Sequence, residues 1–413
     1  MTTRRIDRRR FLTGGLAAAA TLGLGPRFLL RSAGAQSGSG RSLVCIFQRG
    51  AVDGLNMVVP HGESRYYSLR SSIAIPRPGS AGGAHDLDGF FGLHPAMSSL
   101  LPAFDEGDLA IVHACGSPDG TRSHFEAQDY METGTPGDKS TTDGWLNRHL
   151  QTDGSDEQGR LRAIAVTSGM PRILSGPEAV YAASSLVDGN LGAGRQGEIA
   201  RAAISDMYGL REDPIGVTVR DTLENYELFS NLGGYTPANG AVYPNAAPGR
   251  QLREVAQALK SNLGIEVAFV DVGGWDTHVN EGGSEGQLAT RLRYLADAIS
   301  AFRRDMGGRM RDVCLITMSE FGRTAAENGS GGTDHGRGTA MFALGGNVRG
   351  GKVYGDWPGL RPEELEDGRD LRVTTDFRSL CSEVVSRHLG NGALDRVFPG
   401  FDQAAAAPLG MIA

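Results

Sequence analysis

Cysteine is scarce in this chain: four residues in 413, at positions 45, 115, 314 and 381, none of them in a C-x-x-C pair. That excludes a disulfide scaffold and a zinc ribbon. Basic charge is not in excess either, since 41 Lys+Arg stand against 48 Asp+Glu for a net charge of −7. A nucleic-acid binder normally shows a basic face, so that class is set aside. After residue 35 no stretch reaches the ~18 apolar residues of a membrane span. A composition of 40% hydrophobic and 22% charged residues is globular rather than disordered. What is abundant is glycine, 60 residues without a G-X-Y period. Collagen is out, and tight turns with close backbone approach are expected instead. The length allows one large α/β domain or two ordinary ones around a sizeable core.

The N-terminus reads as an address. Arg8-Arg-Arg-Phe-Leu12 precedes an apolar stretch from Gly14 to Gly25, then Pro26, Arg27, Arg31 and Ala33-Gly-Ala35. A basic region, a short apolar region and a small-residue cleavage site make an export leader. The apolar part is shorter than the ~20 residues of a stable anchor. Paired arginines followed by Phe-Leu identify the twin-arginine type. Residues 1–35 are therefore read as a twin-arginine signal peptide, with the twin-arginine translocase as export partner and a periplasmic or secreted destination. Its removal takes seven arginines and one aspartate, leaving residues 36–413 more acidic still. Because this route carries folded chains, it suits a protein that takes up a metal or cofactor before export.

Beyond the leader, apolar runs end in polar, glycine-rich turns. Residues 43–47, 109–113, 266–270 and 313–317 are near-continuous apolar strands of the kind buried on both faces. Helical spacing separates them at 93–104, 251–263 and 287–306, where Leu288, Leu292, Leu295, Ile299 and Phe302 form a stripe. The alternation predicts a mostly parallel central sheet flanked by helices. Around 150–250 the pattern loosens, and the reading is one α/β domain over 36–413 with an insertion or cap there.

In such a sheet, ligands bind at the carboxyl ends of the strands. The turns at those ends carry Asp53, Ser123/His124, Asp276/His278 and Glu320, and a fifth, Gly329-Ser-Gly-Gly-Thr-Asp-His335, precedes the apolar run 340–344. Carboxylates and imidazoles gathered at one edge are a ligand set for a divalent ion. Each has a bland alternative: Asp53 as a helix N-cap, Glu320 as a partner of Arg323, Ser123 as an N-cap in a capping box with Glu126. Five in succession outweigh those alternatives.

The segments Phe47-Gln-Arg-Gly-Ala-Val-Asp-Gly-Leu-Asn56, Ser123-His-Phe-Glu-Ala-Gln-Asp129, Gly273-Gly-Trp-Asp-Thr-His278, Ser319-Glu-Phe-Gly-Arg-Thr324, Thr333-Asp-His-Gly336, Thr374-Thr-Asp-Phe-Arg378 and Leu394-Asp-Arg-Val-Phe-Pro-Gly-Phe401 resemble the exported bacterial family catalogued as domain of unknown function 1501. That family is related to the alkaline phosphatase and sulfatase superfamily. The resemblance implies an alkaline-phosphatase-like α/β sandwich with a metal-dependent esterase site. It implies Asp53, Asp276, His278, Glu320 and His335 as holders of a divalent metal (Zn, Mn, Ca or Mg). Ser123 would be the nucleophile, His124 a catalytic or oxyanion-binding group, and Arg49 and Arg323 further oxyanion binders. The superfamily's Asp-His pair is replaced by Glu320-Phe321, which counts against a two-metal site. The expected function is hydrolysis or transfer of a phosphate or sulfate ester, on a small-molecule or glycan substrate. The alternative is an exported binding or scaffold protein that keeps the fold without turnover.

Overall fold

A strand that is buried along its whole length needs packed material on both of its faces. Ser42–Gln48 is such a strand, and it lies at the middle of the sheet. The structure, a computed structural model, describes residues 40–153, 161–187, 194–230, 232–404 and 408–413, so the leader at 1–35 lies outside the described residues. The main sheet is built from β1 (Ser42–Gln48), β2 (Leu109–Gly116), β3 (Ala163–Val166), β4 (Val180–Ala183), β5 (Val267–Val272), β6 (Val313–Met318), β7 (Thr339–Gly345), β8 (Lys352–Tyr354) and β9 (Thr375–Asp376). Across the sheet the order is β8-β2-β7-β6-β1-β5-β3-β4, with β9 also paired to β2. Ile46 of β1 stands opposite Val270 of β5 and Thr317 of β6, both in parallel register. β7 runs antiparallel to β6 and β2, while the other pairings are parallel.

The helices used below are α1 (Gly54–Met57), α2 (His124–Thr133), α3 (Trp145–Thr152), α4 (Gly194–Tyr208), α5 (Pro214–Ser230), α6 (Ala247–Lys260), α7 (Gln287–Met306) and α8 (Phe377–Glu383). Alternate residues of each strand face opposite layers. Val44 and Ile46 pack with Leu252 and Val255 of α6 and with Leu288, Leu292, Leu295, Ile299 and Phe302 of α7. Leu43, Cys45 and Phe47 pack on the other side with Leu146 and Leu150 of α3 and Leu380 of α8. The result is a mixed α/β sandwich with a large central sheet flanked by helices. All four cysteines are unpaired and buried in that second layer.

Two regions depart in detail from the sequence reading. Residues 93–104 form a 3-10 helix, Pro95–Leu100, and then a short α-helix, Leu101–Asp105, because Pro95 and Pro102 each begin a new helical piece. The loose stretch around 150–250 supplies β3 and β4, an edge of the main sheet, as well as α4 and α5.

Candidate metal centre

The carboxyl ends of β1, β5 and β6 point the same way, so their following turns meet at one edge. β7 is reversed, so the loop that precedes it reaches that edge too. His335 is thereby delivered from an N-terminal strand end and Asp276 from a C-terminal one. Glycine lets these turns close up: a Cβ on Gly50 (φ 116°) would sit 2.7 Å from the Asp276 nitrogen. Gly274 (φ 94°) leaves room for Arg291, whose Nε would lie 2.9 Å from a Cβ there.

At the edge, His124, Asp276 and His335 offer ligand atoms that all lie within 4.8 Å of one another. Asp276 Oδ1 is 3.7 Å from His124 Nε2, 3.6 Å from His335 Nε2 and 3.0 Å from His278 Nε2. His278 Nε2 is 2.9 Å from His335 Nε2. Tetrahedral zinc with bonds of about 2.0–2.1 Å separates its ligand atoms by roughly 3.3 Å. The separations here bracket that value.

The opposite ring nitrogens fix the protons. His124 Nδ1 lies 2.7 Å from Glu320 Oε1, His278 Nδ1 3.0 Å from Asp334 Oδ1, and His335 Nδ1 2.8 Å from the Arg122 carbonyl. A carbonyl and ionised carboxylates only accept, so each Nδ1 carries a proton and Nε2 is the ring atom left to bind an ion. This is the carboxylate–histidine and carbonyl–histidine pattern that orients metal ligands. Two bare lone pairs 2.9 Å apart repel, so this contact needs either a metal ion or one proton shared between the rings. His124 Nε2 is buried and has no other partner. The donor set therefore fits a divalent ion.

Charge supports the same geometry. The hydrogen bond to Glu320 raises the basicity of His124. Burial alone would push the Glu320 carboxyl up, but hydrogen bonds from His124, Gln128 and the Gly50 amide hold it below its usual range. Burial likewise works against Asp276, and its 2.7 Å contact with Arg323 overcomes it.

Several expected site residues serve other ends. Asp53 is not brought into the cluster: it is buried, both its oxygens pair with Arg70, and it caps α1 through the Leu55 amide. Glu320 stands behind His124 rather than among the ligand atoms, with Gly50 N–H and Gln128 Nε2 also donating to it at 2.8 and 2.9 Å. Arg323 is buried and spends its donors on the carbonyls of Ala51, Thr333 and Trp275 and on Asp276, which binds the loops together and leaves no fork for an oxyanion. Arg49 is held by Glu132, Asp271 and Gln128. His124, read as catalytic, contributes its Nε2 to the ligand cluster. Ser123 precedes α2 but its side chain makes no capping bond. Thr121 instead accepts the Ser123 amide at 3.2 Å and donates to Glu126 at 2.9 Å. Asp334, adjacent to His335, carries no sequence mark of its contact with His278. Arg291 carried no sequence signal.

What fold and site define together is a mixed α/β sandwich with three imidazoles and one carboxylate converging at the strand ends. Residues 250–389 match the family described as "Protein of unknown function (DUF1501)", a span that holds Asp276, His278, Glu320 and His335 but not His124. No curated protein matches the chain. Among solved structures, it is similar to a protein in the alkaline phosphatase superfamily from Vibrio parahaemolyticus, at 11% identity over 84% of this chain and 71% of that one, with a TM-score of 0.36. It is also similar to the zinc complex of the C-terminal periplasmic domain of EcEptC from Escherichia coli (10% identity, 75% and 74% covered, TM-score 0.35). A third is the phosphonate monoester hydrolase of Agrobacterium radiobacter (12% identity, 89% and 79% covered, TM-score 0.32). Among the described residues, no helix is long and apolar enough to cross a membrane.

Proposed function

We propose that this chain is an exported, metal-dependent hydrolase or transferase of phosphate or sulfate esters. The observation that carries the reading is the convergence of ligand atoms of His124, His335 and Asp276 at a solvent-reaching edge, with His278 Nε2 3.0 Å from Asp276 Oδ1 and Asp276 itself exposed. His124, Asp276, His278 and His335 would hold the ion, backed by Glu320, Asp334 and the Arg122 carbonyl. When bound, a divalent ion there supplies Lewis acidity and lowers the pKa of a coordinated hydroxyl or water. The Ser123 hydroxyl is one residue from His124 and is free of capping duty, which supports it as the nucleophile. It stands at the N-terminus of α2, whose unpaired N–H groups favour an incoming oxyanion. With Arg49 and Arg323 committed elsewhere, Arg291 beside the Asp276 turn is proposed as the arginine that meets a substrate anion. It lies across Gly274, and its guanidinium bonds to the Gln287 carbonyl at 3.0 Å. Residues 1–35 supply the export signal in this reading, with a periplasmic or secreted protein as the outcome.

The test is turnover of aryl phosphate and aryl sulfate by the mature chain loaded with Zn²⁺ or Mn²⁺, before and after chelation. Metal-dependent turnover that chelation removes and metal restores is expected. Bound metal with no turnover of any ester would favour the second reading, a binding or scaffold protein. One observation supports that rival: Arg49 and Arg323, the arginines expected to bind an oxyanion, are both held in internal ion pairs.

A further inference from the structure

Beneath the cluster lies a carboxyl that the proposed reaction does not use. Glu281 is fully buried. Its Oε2 accepts the Thr277 hydroxyl at 3.0 Å and the Thr333 hydroxyl at 2.7 Å. Thr277 stands between Asp276 and His278, and Thr333 lies two residues before His335. One carboxyl oxygen thus joins the two loops that carry three of the four ligand atoms. Main-chain bonds run alongside, from Thr333 N–H to the Thr277 carbonyl at 3.2 Å and from Glu281 N–H to the Gly331 carbonyl at 2.9 Å.

The other oxygen, Oε1, is buried and receives no donor. An acceptor left without a donor in the interior is costly unless it carries a proton of its own. Glu281 also neighbours the charge of Asp53, whose two oxygens are taken by Arg70. Arg70 is spent on Asp53 and Arg323 on Asp276. A third carboxylate here would be buried without a cation of its own.

We propose that Glu281 is a positioning residue, a neutral carboxylic acid whose hydroxyl faces Asp53 and whose carbonyl oxygen clamps Thr277 and Thr333, presetting both ligand loops before metal arrives. The clamp stands on geometry alone, and its functional consequence rests on the metal reading above. Burial, reinforced by the Asp53 charge, moves the Glu281 carboxyl in the same direction, well above the usual carboxylate range.

The substitutions Glu281→Gln and Glu281→Leu separate the parts of this claim. The amide of Gln keeps an oxygen for the two hydroxyls and an N–H for Asp53, whereas Leu removes both. In metal-free protein, hydrogen exchange over residues 273–281 and 329–336 should match wild type in Glu281→Gln and rise at least ~10-fold in both loops of Glu281→Leu. Thr333→Val, which cuts one arm of the clamp, should loosen 329–336 and serves if the Leu variant does not fold. Co²⁺ affinity should stay within about threefold in Glu281→Gln and fall by about 10–100-fold in Glu281→Leu, the usual cost of a lost outer contact. Wild-type protection in Glu281→Leu, or in Thr333→Val where the Leu variant does not fold, overturns the clamp. Loss in Glu281→Gln equal to that in Glu281→Leu overturns the neutral acid. A wild-type chain that binds no Co²⁺ sinks the metal reading alone, and the exchange pattern still decides the clamp.

Discussion

Histidine shows at the residue scale how neighbours set chemistry. His113 is buried, accepts the Ala114 amide at Nδ1 (2.8 Å) and donates from Nε2 to the Val58 carbonyl (3.0 Å). His94 repeats the scheme with the Ala96 amide at 3.0 Å and the Gly283 carbonyl at 3.1 Å. Both rings are fully used and neutral, and burial pushes each down to about 4. In His124, His278 and His335 the roles are reversed: Nδ1 donates and Nε2 is left for an ion. No sequence pattern separates these two groups, because the difference lies in which carbonyl or carboxylate the fold sets beside each ring. Asp53 carries the same lesson, since its partner Arg70 sits 17 residues away behind no recognisable spacing. The neutral rings make a pH prediction. Between about 6.5 and about 4 the unfolded chain binds protons that the folded chain refuses, so stability is complete above 6.5 and falls as pH drops through that window. Urea midpoints taken with chelator present should decline across it. His113→Leu should flatten the decline by up to ~1.4 kcal/mol per pH unit. Parallel curves for the two proteins would contradict this account of His113.

At the scale of the element, type was more legible than direction. The stripe over 287–306 coincides with α7, and the apolar runs coincide with β1, β2, β5, β6 and β7 to within a few residues. A strand buried on both faces reads the same either way along the chain, so the reversal of β7 left no trace in its pattern. β3 and β4 are four residues each, Ala-Ile-Ala-Val and Val-Tyr-Ala-Ala, too short and too rich in alanine to stand out. The start of α2 bears a prediction. Since Ser123 makes no capping bond, Ser123→Ala should cost less than about 0.5 kcal/mol, the range of ordinary surface changes, rather than the ~1 kcal/mol of a lost cap. If Ser123 is the nucleophile, the same variant loses turnover by orders of magnitude while keeping its metal. Near-normal rates on any ester that the wild type cleaves would end the nucleophile claim.

Across the whole molecule, the sheet collects at one edge residues that lie more than 200 positions apart in sequence, from His124 to His335. Strand-end turns pointed to this edge, and the proposed ligands Asp276, His278 and His335 lie together there. Asp53 and Glu320, expected as ligands too, are engaged with Arg70 and His124, a tertiary fact. His124 was expected to be catalytic, because the first residue of a helix gives no hint of which ring nitrogen faces a cluster; its Nε2 is among the clustered ligand atoms. His124 is therefore the residue on which the ligand set turns. The most direct measurement is metal per chain, by elemental analysis of the mature protein purified with Zn²⁺ and of His124→Ala prepared in the same way, with folding checked by circular dichroism. The account predicts metal bound by the wild type and largely lost from a folded His124→Ala. Full stoichiometry in that variant would contradict it.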